Sequence, residues 1–260
     1  MDLFLFYTNL QKTFELSNGL KYIIIDWEKK EKENRQQLFD TQINKHCLQD
    51  LIDLRRVSDK KIITRINGGF YIQEKEIKSA IDNGTDEIFL PMVQHPSEVE
   101  KAIKYINGQC KLGILVETNN AVNCINELID FPLVRIYFGL NDFAIDNQNS
   151  NIFLPIINGI LESVSMYRKD IPFGFGGLTH PSLGSPLSSS LLLSELVRLN
   201  CQFTFLRRSF YRDLKFFTAG QIFEEIEKEC AKKKLRTPDQ IKDDFQQLKK
   251  QILSIDYEAK

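Results

Sequence analysis

Short runs of apolar residues recur along this 260-residue chain, separated by segments whose apolar residues have helical spacing. The runs are rich in Ile, Leu, Phe and Val. They lack the alternation of apolar and polar residues that a half-exposed strand shows, so each is typical of a parallel strand buried on both faces. Eight such runs occur, at residues 3–9, 20–28, 60–67, 87–93, 112–118, 135–142, 172–179 and 203–210.

Eight strand–helix repeats predict an α/β fold, specifically a (β/α)8 TIM barrel, which typically takes ~250 residues. An open doubly wound sheet is the alternative. That alternative is disfavoured as a nucleotide-binding fold because no G-x-G-x-x-G follows the first run and the chain has no P-loop. We therefore predict that residues 1–215 form a barrel-shaped catalytic domain.

Local signals predict where several helices begin and end. A charged helical stretch is expected over residues 34–55, between the second and third runs. A helix over residues 74–83 is expected to stop at Gly84, because glycine favours the conformation that ends a helix. Ser97 followed by Glu100 resembles a capping box, so we predict that Ser97 is the N-cap of the next helix.

The character of the sequence changes after the eighth run. Residues 216–260 are highly charged, with apolar residues at helical spacing, and Thr237 and Pro238 supply the N-cap and first residue of a second helix. We predict a C-terminal helical extension that packs on the barrel or on a neighbouring subunit. A cover over the active site is the less favoured alternative, and the mixed charge argues against a nucleic-acid-binding arm.

Composition and charge exclude several classes of protein. The formal net charge of −1 creates no global field that favours nucleic acid or an anionic membrane. Residues 1–10 are apolar but have no basic n-region and no cleavage site, and they are too short to span a bilayer, so we interpret them as a strand. The five cysteines have no metal-binding spacing, which predicts reduced thiols in a cytoplasmic protein.

Two carboxylates end neighbouring runs of the predicted barrel. Glu117 ends LGILVET (112–118) and Asp142 ends RIYFGLND (135–142). The C-terminal ends of adjacent parallel strands point into one crevice, where two ionised acids repel each other unless a cation lies between them. Mg²⁺ takes one or two carboxylates and completes its shell with water and substrate oxygens. The spacing therefore favours a magnesium site over a pair of solvated acids.

Polar side chains also end other runs. Arg65 can hold a carboxylate or a developing enolate oxygen by paired hydrogen bonds. The alternative for Arg65 is an ion pair with Asp26 or Glu28 on the neighbouring strand. Gly139 precedes Asn141 and would let backbone N–H groups approach a ligand carboxylate at the turn that follows.

Five motifs, taken in order, resemble the HpcH/HpaI aldolase/citrate lyase family, which belongs to the phosphoenolpyruvate/pyruvate-domain superfamily. They are IIIDWE, TRIN, AIDNGTDEIFLPMV, ILVETNNAV and YFGLNDFAID, and the resemblance covers about residues 22–145. They match the family's D-x-E, R-[VI]-N/P, G-x-[DE]-x-[IV]-x-[LI]-P, [VIL]-E-[TS] and F-G-x-x-D segments. One such motif is a weak signal, whereas five in register are a specific one.

The resemblance implies a barrel that uses Mg²⁺, or sometimes Mn²⁺, to make or break carbon–carbon bonds next to a carbonyl through a metal-stabilised enolate. The implied substrate is a 2-oxo acid such as pyruvate or oxaloacetate, or an acyl-thioester, and the implied assembly is a homo-oligomer, a trimer or hexamer. By motif match, Glu117 and Asp142 would bind the metal, and Arg65 would bind the 2-oxo acid oxygen beside it. The other predicted substrate-binding residues are Gly139, Leu140 and Asn141.

One position departs from the family pattern. The sugar-acid aldolase branch has a histidine directly after the D-x-E segment, and the citrate lyase branch has an acid, whereas this chain has Lys29. Asp26, Glu28 and Lys29 are therefore, with Arg65, the candidate catalytic residues, although Lys29 is equally well explained as a solvated charge. His180, after the seventh run, is a candidate substitute base, with a polar surface role favoured.

Three functions remain open at this point. The favoured one is a metal-dependent carbon–carbon lyase or aldolase, and the second is related enolate chemistry that ends in decarboxylation, hydrolysis or synthesis. The third is a catalytically degenerate barrel that serves as a binding or assembly subunit.

At the end of the eighth run, at most one of Arg207 and Arg208 can face the barrel mouth and bind a distal carboxylate or phosphate. A salt bridge to the tail is the alternative.

Overall fold

The computed structural model describes residues 1–30 and 46–255. Within these ranges nine parallel strands form one sheet, in the order β7-β6-β5-β4-β3-β2-β1-β9-β8. The strands are β1 (Asp2–Phe6), β2 (Tyr22–Asp26), β3 (Lys61–Arg65), β4 (Glu87–Leu90), β5 (Lys111–Val116), β6 (Arg135–Phe138), β7 (Phe173–Phe175), β8 (Gly177–Leu178) and β9 (Phe203–Leu206).

The two short strands β7 and β8 occupy one position in the barrel. Only Gly176, with φ of +62°, separates them. β7 pairs with β6 and β8 pairs with β9, so this bent segment joins the two edges of the sheet. The sheet is thus a nearly closed barrel with eight strand positions. The prediction of an α/β barrel from eight apolar runs is confirmed, since the seventh run contains both short strands.

Helices surround the barrel and connect its strands. They are α1 (Leu10–Leu16), α2 (Leu48–Val57), α3 (Glu74–Asp82), α4 (Pro96–Ile106), α5 (Asn119–Asn123), α6 (Ile125–Leu128), α7 (Leu140–Asp146), α8 (Leu154–Ile157), α9 (Ile160–Tyr167), α10 (Ser189–Arg198), α11 (Ser209–Asp213), α12 (Ala219–Lys234) and α13 (Pro238–Leu253). Of the helix predicted over residues 34–55, the part up to residue 45 lies outside the described residues.

The predicted helix ends are correct in one case and wrong in another. Gly84, with φ of +91°, follows α3 as expected. Ser97 is not the N-cap of α4, because that helix begins at Pro96 and its N-cap is His95. The carboxylate of Glu98 accepts the amide hydrogen of His95, and proline suits the first helical position because it has no N–H to leave unpaired.

The interior of the barrel is filled mainly by aromatic side chains. A second, larger core lies between the outer face of the strands and the helices. Inward-facing residues of neighbouring strands stack in layers, so a closed parallel barrel is a packed core and not a pore. The interior cluster consists of Phe4, Ile24, Ile63, Phe89, Leu115, Tyr137, Phe203 and Phe205.

An ion pair lies in the barrel at the N-terminal end of the strands. Arg135 begins β6 and Glu87 begins β4, and the Arg135 Nε lies 2.7 and 2.9 Å from the two Glu87 carboxylate oxygens. The guanidinium carbon is 5.0 Å from the ring centre of Phe4, 4.6 Å from that of Tyr22 and 5.3 Å from that of Phe203. Both charges are thus paired, and the pair fills the end of the barrel opposite the predicted site.

The last two helices pack against α10 on the outside of the barrel. The Asp244 carboxylate accepts hydrogen bonds from Arg236 at 2.7 Å and from Ser194 of α10 at 3.1 Å, and Arg236 also donates to the Ser194 carbonyl. Helix α13 begins at Pro238 with Thr237 as N-cap, as predicted. The division of the chain at residue 215 stays a prediction. In the part of the chain that the structure describes, no helix is long and apolar enough to cross a bilayer.

Candidate functional site

Three strands bring charged side chains to the C-terminal mouth of the barrel. Asp26 ends β2, Arg65 ends β3, and Glu117 directly follows β5. Side chains alternate between the two faces of a strand, so residues two apart face the same way. The residues two positions before these three belong to the interior cluster of the barrel: Ile24, Ile63 and Leu115. The three charged side chains therefore also face inward.

Arg65 is held by carboxylates of the neighbouring strand. Its Nε and Nη2 donate to the two oxygens of Asp26 at 2.9 and 2.7 Å, and its Nε lies 3.5 Å from Glu28. Burial by itself lowers the pKa of Arg65, but the Asp26 and Glu28 charges raise it well above its ordinary value. The ion pair considered above as the alternative role for Arg65 is therefore present. Its Nη1 makes no hydrogen bond within residues 1–30 and 46–255 and is available to a ligand oxygen.

Glu117 is 2% exposed and lies beside other acids. Burial, together with the charges of Asp142 and Glu28, raises the pKa of Glu117 to about 8. The Met92 amide donates to its Oε1 at 2.8 Å. Met92 has φ of +53°, a conformation that non-glycine residues rarely adopt, and this turn after β4 directs the amide at the carboxylate. The site thus fixes one oxygen of Glu117 and opposes its ionisation.

Gly139 allows β6 to approach Glu117 closely. A Cβ at this position would lie 2.2 Å from the Glu117 Oε2, so no other residue fits here without displacing that carboxylate. The Gly139 amide donates to the Val116 carbonyl at 3.1 Å and is thus taken by the sheet. Of the three residues predicted to bind the substrate, Gly139 therefore cannot donate its amide hydrogen to a substrate carboxylate. The amides of Leu140 and Asn141, at the start of α7, stay the predicted donors.

The mouth holds more negative than positive charge. Asp26, Glu28, Glu117 and Asp142 are all buried, and in the described ranges Arg65 is the one cationic side chain that forms an ion pair with any of them. Carboxylate oxygens are the ligands that Mg²⁺ and Mn²⁺ prefer, so the donor set fits such an ion. No group of three or more potential metal ligands occurs among the described residues, which means that water or substrate would complete the coordination.

Lys29 lies away from the other predicted residues. Its side chain is exposed and lines a cleft of about 430 Å³ together with Trp27 and Tyr71. Its backbone amide donates to the Asn67 side chain at 3.0 Å, and Asn67 in turn donates to Glu76 at 2.7 Å. These bonds fix the chain directly after Glu28 and leave the lysine ammonium outside the cluster of buried acids.

The structure places two histidines near the mouth. No role was predicted for His46, which is buried and accepts the amide hydrogen of Asp26 at its Nδ1, at 2.9 Å. Burial lowers the pKa of His46, so the ring is neutral and fixes the backbone of the acid. No sequence signal joins residues 20 apart in this way. His180 stacks on Phe217 at 3.9 Å and bonds Ser182 within its own loop.

No family model matches the sequence, and no curated protein matches it. Among solved structures, an HpcH/HpaI aldolase from Desulfitobacterium hafniense DCB-2 is similar, with TM-score 0.60 and 14% identity, over 86% of this chain and 92% of that one. The M. tuberculosis citrate lyase beta subunit, complexed with oxaloacetate and magnesium, has TM-score 0.56 and 13% identity, over 90% and 96% of the two chains.

A macrophomate synthase is also similar, with TM-score 0.59 and 14% identity, over 87% of this chain and 84% of that one. The first two structures carry the family names that the five motifs predicted. At these identities the similarity establishes the fold, while the reaction has to be argued from the residues of the mouth.

Proposed function

We propose that this chain is a divalent-metal-dependent carbon–carbon lyase of the HpcH/HpaI aldolase/citrate lyase family, acting on a 2-oxo acid or an acyl-thioester. The observation that carries the proposal is the burial of four carboxylates at the C-terminal mouth of the barrel, where Arg65 pairs with Asp26 and Glu28, and Asp142 acts on Glu117. Active sites of such barrels lie at this face. The five motifs and the structural similarity to aldolase and citrate lyase enzymes support the proposal independently.

Each residue of the mouth has a role in the proposed reaction. Glu117 and Asp142 would hold the ion, which when bound would supply Lewis-acid polarisation of the substrate carbonyl. Arg65 donates from Nη1 to the same oxygen and shares the negative charge that develops there. Asp26 keeps the guanidinium in place through two hydrogen bonds, so the donor needs no reorientation during the reaction.

Proton transfer is assigned to Glu28. Both oxygens of Asp26 accept hydrogen bonds from Arg65, which makes Asp26 the anchor of the guanidinium, and Glu28 is buried beside the same group with one oxygen 3.5 Å from the Arg65 Nε. Lys29 is exposed, and His180 bonds within its own loop, so neither is as well placed. The absence of a histidine or acid directly after Glu28 also favours a second candidate, related enolate chemistry that ends in decarboxylation, hydrolysis or synthesis.

The test measures metal binding and enolate formation without knowledge of the physiological substrate. Calorimetry with Mg²⁺ or Mn²⁺, followed by oxalate as an enolate mimic, measures assembly of the site. Proton NMR of pyruvate in D₂O then follows exchange of its methyl protons, which requires an enolate. We expect metal-dependent oxalate binding and exchange in the natural protein, and loss of both in Glu117→Gln. Glu127→Gln, an exposed glutamate on α6, is the matched control and is expected to retain both.

The outcomes separate the three functions. Exchange together with release of pyruvate from aldol substrates supports the lyase. Exchange together with carbon dioxide release from oxaloacetate, but without aldol cleavage, supports the second candidate. If neither metal nor oxalate gives heat and exchange is absent, the enzymatic proposal is wrong and a binding or assembly subunit is favoured.

A further inference from the structure

Arg207 is a second inward-facing arginine at the same end of the barrel. It follows β9, two residues after Phe205, which belongs to the barrel interior. Its amide continues the pairing of β9 with β8 by donating to the Leu178 carbonyl at 3.0 Å. A Cβ at Gly177 would lie 2.9 Å from the Arg207 Cβ, which places the two on the same face. Arg208 is exposed, so Arg207 is the arginine of this pair that faces the mouth.

The guanidinium of Arg207 is buried without enough acceptors. Its Nη1 donates to the Leu187 carbonyl at 3.1 Å. Its Nε and Nη2 are inaccessible to solvent and have no hydrogen-bond partner within residues 1–30 and 46–255. Burial lowers the pKa of Arg207 to about 10, so the side chain keeps its charge at neutral pH. A charged donor group is therefore held inside the protein with two nitrogens unmatched.

The loop of residues 180–188 lies directly over this guanidinium. Gly184 has φ of +119°, and a Cβ there would lie 2.1 Å from the Arg207 Nη2. The hydroxyl of Ser209, two residues further along the chain, is also buried without a partner in the described residues, and Ser209 is 8% exposed. Arg207 and Ser209, two residues apart in the sequence, thus both carry buried hydrogen-bond donors that have no partner in the described residues.

A buried donor without an acceptor is unfavourable, and a charged one more so than a neutral one. An acceptor that carries negative charge would satisfy such donors, and an arginine fork suits the oxygens of a phosphate or carboxylate. The position adds a second argument. TIM barrels frequently bind phosphate between the loops that follow their seventh and eighth strands, and residues 179–188 and 207–209 are those loops here.

We propose that Arg207 and Ser209 form an anion-binding site, which takes a phosphate or carboxylate group when the 180–188 loop shifts to admit it. The site is continuous with the mouth. The Arg65 guanidinium lies 5.5 Å from the Phe6 ring, and that ring meets Phe205 at 5.2 Å. Strands β3 and β9 are three strand spacings apart, roughly 14 Å along the sheet at ~4.8 Å each.

If the proposed function holds, this site defines the substrate class further. The substrate carries its reacting carbonyl at Arg65 and a second anionic group, remote from that carbonyl, at Arg207. Pyruvate alone would then leave the second site empty. This extension rests on the proposed function, whereas the anion site itself does not.

The experiment titrates inorganic phosphate, and separately acetate, into the metal-free full-length protein by calorimetry. Phosphate binding is expected to weaken at least tenfold in Arg207→Gln. It is expected to weaken by a smaller factor in Arg207→Lys, which keeps the charge but cannot donate paired hydrogen bonds. A smaller factor is also expected in Ser209→Ala. Arg208→Gln is the matched control and is expected to stay within twofold. Tighter binding of acetate than of phosphate identifies the natural group as a carboxylate.

Amide hydrogen exchange of residues 180–188 gives an independent readout. Phosphate is expected to change exchange there in the natural protein and not in Arg207→Gln. Absence of binding by both anions overturns the proposal, and so does equal weakening in Arg208→Gln. If Arg207→Gln does not fold, Arg207→Lys decides: weakening of phosphate binding by more than the twofold limit set for Arg208→Gln supports the proposal, and weakening within that limit overturns it. Pyruvate exchange in the natural protein is measured separately, so loss of the lyase proposal and loss of the anion site are distinguishable.

Discussion

Replacing Glu117 with glutamine tests the electrostatics of the mouth. Burial, with Asp142 and Glu28 nearby, raises the pKa of Glu117 from 4.5 to about 8 in the metal-free protein. Between these pH values the folded protein keeps a proton that the unfolded chain has released. Stability therefore falls as pH rises through this window, and no further loss occurs above about pH 8. Glutamine has the same shape and no charge, so Glu117→Gln removes this dependence.

The size of the effect follows from the width of the window. In the unfolded chain the Glu117 carboxyl is ionised at pH 7, because this pH is about 2.5 units above its ordinary pKa. Each unit of pH corresponds to about 1.4 kcal/mol in the free energy of unfolding. The variant is therefore expected to be more stable than the natural protein by about 3 kcal/mol at pH 7 without metal. At pH 4.5 the two are expected to be nearly equal in stability.

Urea unfolding in the presence of a chelator measures both proteins at pH 5, 7 and 8.5. The difference in free energy of unfolding is expected to grow with pH over this series. A divalent cation at millimolar concentration is then expected to stabilise the natural protein and to leave Glu117→Gln unchanged, because Glu117 is one of the two carboxylates assigned to the ion. Parallel pH profiles of the two proteins, or equal stabilisation of both by the metal, would refute the reasoning.

Three further substitutions test other contacts. Gly139→Ala is expected to weaken Mg²⁺ binding at least tenfold in calorimetry, because its Cβ would lie 2.2 Å from the neighbouring carboxylate; Gly220→Ala, with no atom near its Cβ, should leave binding unchanged and stabilise its helix by ~0.5–1 kcal/mol. Arg65→Lys cannot form the paired hydrogen bonds, so pyruvate exchange by NMR should fall about 100-fold while Mg²⁺ affinity changes little. Arg135→Met should reduce the free energy of unfolding by ~3–5 kcal/mol in urea because Glu87 is left buried and unpaired, and adding Glu87→Gln should restore most of it.

The fold followed from the composition and order of the apolar runs. Strands whose residues do not alternate between apolar and polar are buried on both faces. Only a parallel sheet covered by helices buries so many such strands. The same logic predicted the neighbourhood of Asp26, Arg65 and Glu117, because parallel strands in a barrel all end at one mouth. Errors arose where short-range signals competed, as at α4, where proline at the first position overrode a Ser97 cap.

The sequence by itself therefore determined the barrel and the identity of the charged residues at its mouth. Only the tertiary structure decided how those residues pair. Arg65 is held by Asp26, the ring of His46 fixes the Asp26 backbone, and Arg135 reaches Glu87 inside the barrel, 48 residues away in sequence. Such pairings depend on the stagger of neighbouring strands and on which side chains share a layer. Those are properties of the closed sheet, and the period of a single strand does not contain them.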